Sequence, residues 1–217
     1  MSLIAVDFDG TLYEENSVMV TIKAGRETFK LGQWLLIFKD VLNGSLRGRG
    51  EKIDFRQLFL KSFFRQMKGR SREEIHDFFV SLVKTGQEGL NSRLVSRLEK
   101  HLDDGDRLLI LSGALQPFLE TFVEEMGIKA EVIGTTLYFD ENGICTGEIS
   151  KINNGVEKVN NIKLWMEENN IQNESIWAYA DSKSDIPLLE FANKAIVVNP
   201  STELREVAQS RGWEVFS

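Results

Sequence analysis

The spacing of hydrophobic positions changes along this chain. Residues 3–8 form a short apolar run that an Asp-Gly pair interrupts, which predicts a buried strand of a parallel sheet. Residues 17–89 carry apolar positions at helical spacing and few strand signals, and they predict helices near residues 18–32, 34–42, 55–67 and 72–84. The glycine-rich segment 43–50 predicts a loop between the second and third of these helices.

Strand and helix signals alternate from residue 91 onward. Strands are predicted at residues 107–111, 130–134, 176–180, 195–198 and 213–216, with helices at 92–101, 116–126, 156–168, 184–192 and 203–209. Residues 137–139 and 144–149 flank the turn sequence Asp140-Glu141-Asn142-Gly143, which predicts a hairpin. The alternation predicts an α/β fold with a doubly wound parallel sheet. Residues 1–13 and 88–217 would form this core, and residues 14–87 would be a helical domain inserted after the first strand.

Composition sets limits on the class of protein. With 217 residues and 42% hydrophobic residues, the chain can bury a core without disulfides. Its single cysteine, Cys145, excludes an internal disulfide and a cysteine pair for zinc, and we expect it to be a small core or strand residue. The N-terminus lacks the pattern of a signal peptide, and the densest apolar run is only residues 34–38. We therefore expect a soluble, cytoplasmic protein without stable membrane insertion.

The charge of the chain is acidic overall but basic in the predicted insertion. Lys and Arg number 26 against 33 Asp and Glu, a net charge of −7, which argues against a nucleic-acid partner. The insertion nevertheless holds a basic set: Arg47, Arg49, Lys52, Arg56, Arg65, Lys68, Arg70 and Arg72. This set could be a solvated face, or it could attract anionic substrates or a membrane surface. The aromatic residues of the same segment fit a bundle core or, alternatively, a pocket for a lipid or aromatic phosphate.

Candidate chemistry lies where the predicted strands end. In doubly wound sheets ligands bind at the carboxyl ends of the strands, and polar residues follow three of them: Asp7, Asp9, Gly10 and Thr11, then Ser112 and Gly113, then Asp181, Ser182 and Asp185. Carboxylates gathered in one crevice repel each other and are tolerable only if a cation is bound or one of them is protonated. Oxygen ligands without thiol or imidazole indicate Mg²⁺ rather than zinc. Lys158 and Lys151 are the candidate lysines for additional positive charge.

Each of these pieces has a structural alternative. The Asp-Gly pair could be a plain turn, Asp181 and Asp185 could cap the following helix, and Ser112-Gly113 could connect a strand to a helix. Their occurrence at the same end of successive strands favours a common site.

The order of these motifs resembles the haloacid dehalogenase-like phosphatases, in the branch related to phosphoserine phosphatase called subfamily IB. The matching segments are Asp7-Phe8-Asp9-Gly10-Thr11-Leu12, Leu109-Ile110-Leu111-Ser112-Gly113, Gly155-Val156-Glu157-Lys158, Asp181-Ser182-Lys183-Ser184-Asp185 and Val197-Val198-Asn199-Pro200. The resemblance implies an enzyme, a phosphatase for a small phosphorylated substrate. In this family an insertion after the first motif is a cap that closes over the active site.

The resemblance also implies a role for each matching residue. Asp7 would be the nucleophile that becomes an aspartyl-phosphate, and Asp9 the general acid and base. Mg²⁺ would be bound by the side chains of Asp7 and Asp181 and the backbone carbonyl of Asp9. Asp185 would support the metal's water shell. Ser112, the Gly113 amide and Lys158 would bind the phosphoryl oxygens. Lys158 fits the family's third motif better than Lys151, because it lies in the first turn of a predicted helix.

The insertion departs from phosphoserine phosphatases. They have a glutamate nine residues after the nucleophile, where this chain has Asn16, and a cap arginine at the position that corresponds here to Ser62. These differences leave the substrate open. A phosphotransferase or mutase on the same core, and a phosphatase for a lipid head-group phosphate, remain alternatives within enzymes. A binding module that has kept the fold without catalysis is an alternative outside them.

Overall fold

A six-stranded parallel sheet forms the centre of the molecule. The computed structural model describes residues 1–47, 55–86, 89–172 and 174–217. The strands of the sheet are β1 (Ser2–Asp7), β2 (Arg107–Leu115), β3 (Glu131–Thr135), β6 (Ser175–Ala180), β7 (Lys194–Val198) and β8 (Glu214–Phe216), and their order is β3-β2-β1-β6-β7-β8. Strands β2 and β3 follow β1 on one side of the sheet, and strands β7 and β8 follow β6 on the other. The switch point of this doubly wound sheet, where ligands bind in such folds, therefore lies between β1 and β6.

Apolar clusters cover both faces of the sheet. Ile4 and Val6 of β1 belong to one cluster and Leu3 and Ala5 to the other, as alternation along a strand requires. The covering helices are α5 (Ser92–Asp103), α6 (Gln116–Glu125), α7 (Val156–Glu168), α8 (Ile186–Phe191) and α9 (Thr202–Arg211). The predicted α/β class and the alternation from residue 91 onward are confirmed.

Four further helices lie between β1 and α5 in the chain: α1 (Ser17–Thr28), α2 (Leu31–Arg47), α3 (Phe55–Arg65) and α4 (Arg72–Gly86). They bury most of the aromatic side chains of this segment, among them Phe29, Phe63, Phe64, Phe78 and Phe79. Helix α2 runs antiparallel to α3, since its Asp40 accepts a 3.2 Å hydrogen bond from the Ser62 hydroxyl while Gly44 faces Leu58.

The predicted loop at residues 43–50 is wrong over its first five residues, because α2 continues through Arg47. A Cβ at Gly44 would lie 2.7 Å from Leu58 Cδ2, so this glycine permits close approach of α2 and α3. The Ser45 hydroxyl donates to the carbonyl of Val41 within the helix. Residues 48–50 of the predicted loop lie outside the described residues.

The inserted helices rest on a hairpin from the C-terminal part of the chain. Strands β4 (Leu137–Phe139) and β5 (Cys145–Ile149) pair antiparallel, as predicted. The amide of Cys145 donates to the carbonyl of Arg70 at 2.8 Å, and the amide of Gly69 donates back to Cys145 at 2.9 Å. Cys145 is 1% exposed, which confirms the prediction of a core strand residue. These bonds fix the segment between α3 and α4 to the hairpin that follows β3.

Within the part of the chain that the structure describes, no helix combines the length and the apolar character that crossing a bilayer requires.

Candidate active site

The carboxyl ends of β1 and β6 bring three aspartates together. Asp7 is the last residue of β1, Asp181 follows β6, and Asp185 ends a single 3-10 turn, Lys183–Asp185. One carboxylate oxygen from each of the three lies within 4.8 Å of the others. Asp185 immediately precedes α8, but its side chain does not cap that helix and instead accepts a 2.6 Å hydrogen bond from the Ser182 hydroxyl. The capping alternative is therefore wrong for Asp185.

Lys158 is the lysine that reaches these carboxylates. Its Nζ lies 2.5 Å from Asp7 Oδ1 and 2.6 Å from Asp185 Oδ1, and the residue is 2% exposed. Gly155, with φ of 55°, precedes α7 and starts the turn that aims Lys158 at β1. Lys151 remains at the surface, where it pairs with Glu157 Oε1 at 2.5 Å.

Burial governs the electrostatics of this cluster. It raises the pKa of Asp7 well above its ordinary value; Lys158 opposes this effect, while Asp185 and Asp181 add to it. The pKa of Asp181 is also raised, first by burial and then by the charge of Asp185. For Lys158, burial lowers the pKa, but Asp7 and Asp185 together outweigh it and the pKa is raised. Three carboxylates thus face one ammonium group, and this all-oxygen, electron-rich set fits a hard divalent cation.

The turn after β1 packs directly beneath Asp181. Thr11 Oγ1 donates to Asp181 Oδ1 at 3.2 Å. Gly10 has φ of 81°, and a Cβ there would lie 2.2 Å from Asp181 Oδ2. A side chain at residue 10 would therefore strain the backbone and displace Asp181. This Asp-Gly pair is consequently part of the carboxylate cluster rather than a turn alone.

Ser112 and Gly113 lie inside β2, since that strand continues to Leu115 rather than ending at Leu111 as predicted. Asp7 is paired in register with Leu111, so Ser112 lies one residue beyond the end of β1. The Ser112 hydroxyl oxygen accepts from the amide of Ala114 at 3.0 Å. A Cβ at Gly113 would lie 3.0 Å from Ile152 Cγ2 and 3.3 Å from Arg56 Cζ, so an inserted helix closes the space above this glycine.

The Asp9 carboxylate contacts the inserted helices. Its Oδ1 accepts from the amide of Ser17 at 2.7 Å, and its Oδ2 accepts from the Ser17 hydroxyl at 2.9 Å. Ser17 is the first residue of α1, and Asn16 caps that helix by accepting from the amide of Val18. Arg56 Nη2 also donates to Asp9 Oδ2, at 2.5 Å. Asp9 therefore connects the turn after β1 to two inserted helices.

Arg56 is the site residue that the sequence did not single out. It belonged to the basic set of the insertion, but its pairing with Asp9 spans 47 residues of chain. Its Nε is buried and lacks a hydrogen-bond acceptor among the described residues. Ser62, at the position of the phosphoserine phosphatase arginine, donates to Asp40, and so does Arg65. The cation next to Asp9 thus comes from the start of α3 rather than from its middle.

Curated relatives share part of their length with this chain. A phosphoserine phosphatase of Mycobacterium tuberculosis is 27% identical over 118 residues, which are 54% of this chain and 38% of that protein. A histidinol-phosphatase of Neisseria meningitidis is 27% identical over 188 residues, 83% of this chain and 79% of that protein. A putative hydrolase of Mycobacterium leprae is 25% identical over 158 residues. The chain spans 50% of the length of the Mycobacterium leprae protein and 38% of the length of the Mycobacterium tuberculosis protein.

Solved structures share the fold. A protein of unknown function from Bordetella pertussis superposes with a TM-score of 0.83 at 23% identity, covering 99% of this chain and 97% of that one. A phospho-aspartyl intermediate analogue of phosphoserine phosphatase superposes with a TM-score of 0.55 at 18% identity, covering 99% and 92%. The model of the haloacid dehalogenase-like hydrolases matches residues 4–190. This match confirms the family that the motifs predicted: the chain belongs to the haloacid dehalogenase-like hydrolases.

Proposed function

We propose that this protein is a phosphatase that hydrolyses small-molecule phosphomonoesters with Asp7 as nucleophile. The observation that carries the proposal is a buried carboxylate at the end of β1, held at 2.5 Å by the buried ammonium of Lys158. A carboxylate can approach a phosphate only where positive charge offsets the charge of both groups. The phosphatase names of the tuberculosis and meningococcal relatives support this choice of reaction.

The reaction proceeds in two displacements at phosphorus. A carboxylate oxygen of Asp7 forms a bond to phosphorus while the ester oxygen leaves and takes a proton from Asp9. Water then attacks phosphorus of the aspartyl-phosphate and gives a proton to Asp9. The bond between Asp7 and phosphorus breaks, so that inorganic phosphate is released and the Asp7 carboxylate is restored. Throughout, Lys158 offsets the negative charge beside Asp7. The hydrogen bonds from Ser17 orient the Asp9 carboxylate between these steps.

A divalent cation, in our proposal Mg²⁺, completes the charge balance of the site. The side chains of Asp7 and Asp181 and the backbone carbonyl of Asp9 would hold it, and Asp185 would support its water shell. When bound, it supplies positive charge to the transferring phosphoryl oxygens. The residues present fit such an ion, because three carboxylate oxygens converge within 4.8 Å and only Lys158 offsets them among the described residues.

The phosphoryl oxygens would be bound from β2 and α7. The Ser112 oxygen accepts from the Ala114 amide, which leaves its own proton free to bond a phosphoryl oxygen. The Gly113 amide and Lys158 Nζ would provide the remaining donors. Residues 14–87 would act as the cap, since Arg56 brings α3 into contact with Asp9 and covers Gly113. A cap this close to the nucleophile favours small substrates over folded proteins.

Turnover of a soluble aryl phosphate tests the proposed function. We expect release of phosphate with Mg²⁺, loss of turnover in excess EDTA, and inhibition by Ca²⁺, whose longer bonds and higher coordination number would misplace Asp7. Full activity in EDTA would contradict the metal proposal, and lack of turnover on a panel of phosphorylated metabolites with Mg²⁺ would favour a binding module without catalysis.

Replacing Arg56 with alanine tests whether the cap contributes to the site. Arg56 helps to fix the Asp9 carboxylate, and misplacement of a catalytic group can cost about a hundredfold in rate, so kcat/KM should fall roughly tenfold to a hundredfold. Arg65→Ala is the matched control, because this α3 arginine also pairs with a carboxylate, that of Asp40. The control should keep kcat/KM within about twofold, as expected for an exposed pair. Equal values for the two variants would remove Arg56 from the site.

A further inference from the structure

Helix α2 is apolar on two different faces. Its inner face packs into the core through Ile37, Trp34 and Val41. Its outer face carries Leu31, Leu35, Phe38, Leu42 and Leu46, which we call the α2 stripe. Their spacing of four, three, four and four residues places them on one line along the helix. These side chains are between 49% and 77% exposed, so the outer face is open to solvent.

The size of the α2 stripe requires an explanation. Its first and last residues are fifteen positions apart, a length of about 22 Å at the helical rise. Single exposed leucines are common on protein surfaces, but a continuous line of five large apolar side chains marks a site of interaction. The stripe contributes little to the core, since its five side chains are half or more exposed, or nearly so. We therefore expect these side chains to contact an apolar surface outside this chain.

Positive charge outweighs negative charge in α2 and α3, the helix that carries the stripe and the helix packed against it. Over residues 30–47 and 55–65, which comprise α2, α3 and the residue before α2, the sequence has six Lys or Arg and a single acidic residue, Asp40. Asp40 is paired with Arg65 at 2.7 Å. Lys39 is exposed and lies one helical turn from Leu35, beside the stripe. By contrast, residues 1–13 and 88–217 hold 12 Lys and Arg against 24 Asp and Glu. The basic charge of this acidic protein is thus concentrated in the segment that contains its exposed apolar helix.

We infer that the α2 stripe docks this protein on an anionic bilayer surface. A helix that lies in the plane of a membrane combines an apolar face, buried at the boundary of the head groups, with flanking cations that attract acidic lipids. A second copy of the chain fits less well, because a symmetric pair of stripes would bring the same positive surroundings together. The inference does not depend on the proposed hydrolysis.

Docking through α2 would place the candidate active site near the membrane. Because α2 and α3 are antiparallel, the C-terminal end of α2 lies beside the N-terminal end of α3. That end of α3 carries Phe55, which is 61% exposed, and Arg56, which reaches Asp9. The helix that rests on the lipid surface is therefore packed against the helix that covers the site.

Co-sedimentation with vesicles tests the inference. The purified protein should bind vesicles that contain phosphatidylcholine and phosphatidylglycerol more tightly than vesicles of phosphatidylcholine alone, and added NaCl should weaken that binding. The variant Leu35→Glu/Phe38→Glu should reduce the partition coefficient by about tenfold or more, since it places charge in the apolar face. Leu164→Glu is the matched control, because Leu164 is a 55% exposed leucine on α7, outside the stripe, and it should bind like the wild type.

Two further measurements distinguish a bilayer from a second copy of the chain as the partner of the α2 stripe. Circular dichroism melting curves of both variants should match the wild type, since the substituted positions are exposed. Light scattering should show the same mass for the wild type and the stripe variant. Failure of the wild-type protein to bind either kind of vesicle would overturn the inference. A stripe variant that binds as tightly as the wild type would also overturn it. A wild-type dimer that the stripe variant converts to a monomer, without vesicle binding, would assign the stripe to a second copy of the chain.

Discussion

Replacing Asp7 with asparagine should lower turnover of an aryl phosphate by at least about a thousandfold, the scale at which loss of a nucleophile acts. The amide keeps the volume and one acceptor oxygen of the carboxylate but cannot displace the ester oxygen. The fold should persist, because Lys158 keeps its ion pair with Asp185 and the substitution removes one of three mutually repelling carboxylates.

Asp9→Asn and a circular dichroism melt serve as controls for this variant. Asp9→Asn removes the proposed acid while leaving the nucleophile, so its rate should fall less on an aryl phosphate with a good leaving group than on an alkyl phosphate. An Asp7→Asn enzyme that turns over at a rate near that of the wild type would remove Asp7 from the mechanism.

Replacing Lys158 with methionine should lower kcat by about a hundredfold to a thousandfold, as loss of one electrostatic donor does. Methionine keeps the unbranched apolar stem but removes the ammonium that contacts Asp7 and Asp185. In EDTA the variant should also melt at a lower temperature, because breaking a buried ion pair costs about 3–5 kcal/mol. Lys158→Arg keeps the charge and should recover more stability than activity.

Lys151→Met is the matched control for this experiment. Lys151 is exposed and pairs with Glu157, a kind of contact worth about 0–1 kcal/mol. Its loss should leave both kcat and the melting temperature nearly unchanged. If Lys151→Met lost activity while Lys158→Met kept it, the assignment of the neutralising lysine would be reversed.

The core could be predicted because its determinants are local. Short apolar runs, each followed by a polar residue, marked β1 and β6, and the strand-end aspartates followed from the rule for doubly wound sheets. Lys158 could be placed near them because a helix and a strand of ordinary length separate it from Asp181. Its contacts with Asp7 and Asp185 required the structure, since they span 151 and 27 residues.

The inserted helices were harder to predict because their contacts are distant in sequence. Asn43, Gly44 and Ser45 are common in turns, but packing of Gly44 against Leu58 keeps them in α2. Arg56 could not be distinguished from the other cations of the insertion, because its partner Asp9 lies in another part of the chain. The exposure of Phe38 beside the burial of Phe63 likewise depends on how the four helices pack.

Trapping the phosphoenzyme tests the central claim most directly. Enzyme quenched during turnover of an aryl phosphate can be reduced with borohydride, which converts an acyl phosphate of aspartate to homoserine. Peptide mass spectrometry then locates the converted residue. Our account predicts homoserine at position 7, dependent on substrate and Mg²⁺ and missing from Asp7→Asn. Homoserine at another aspartate, or rapid turnover with unmodified Asp7 under conditions that trap acyl phosphates, would contradict it.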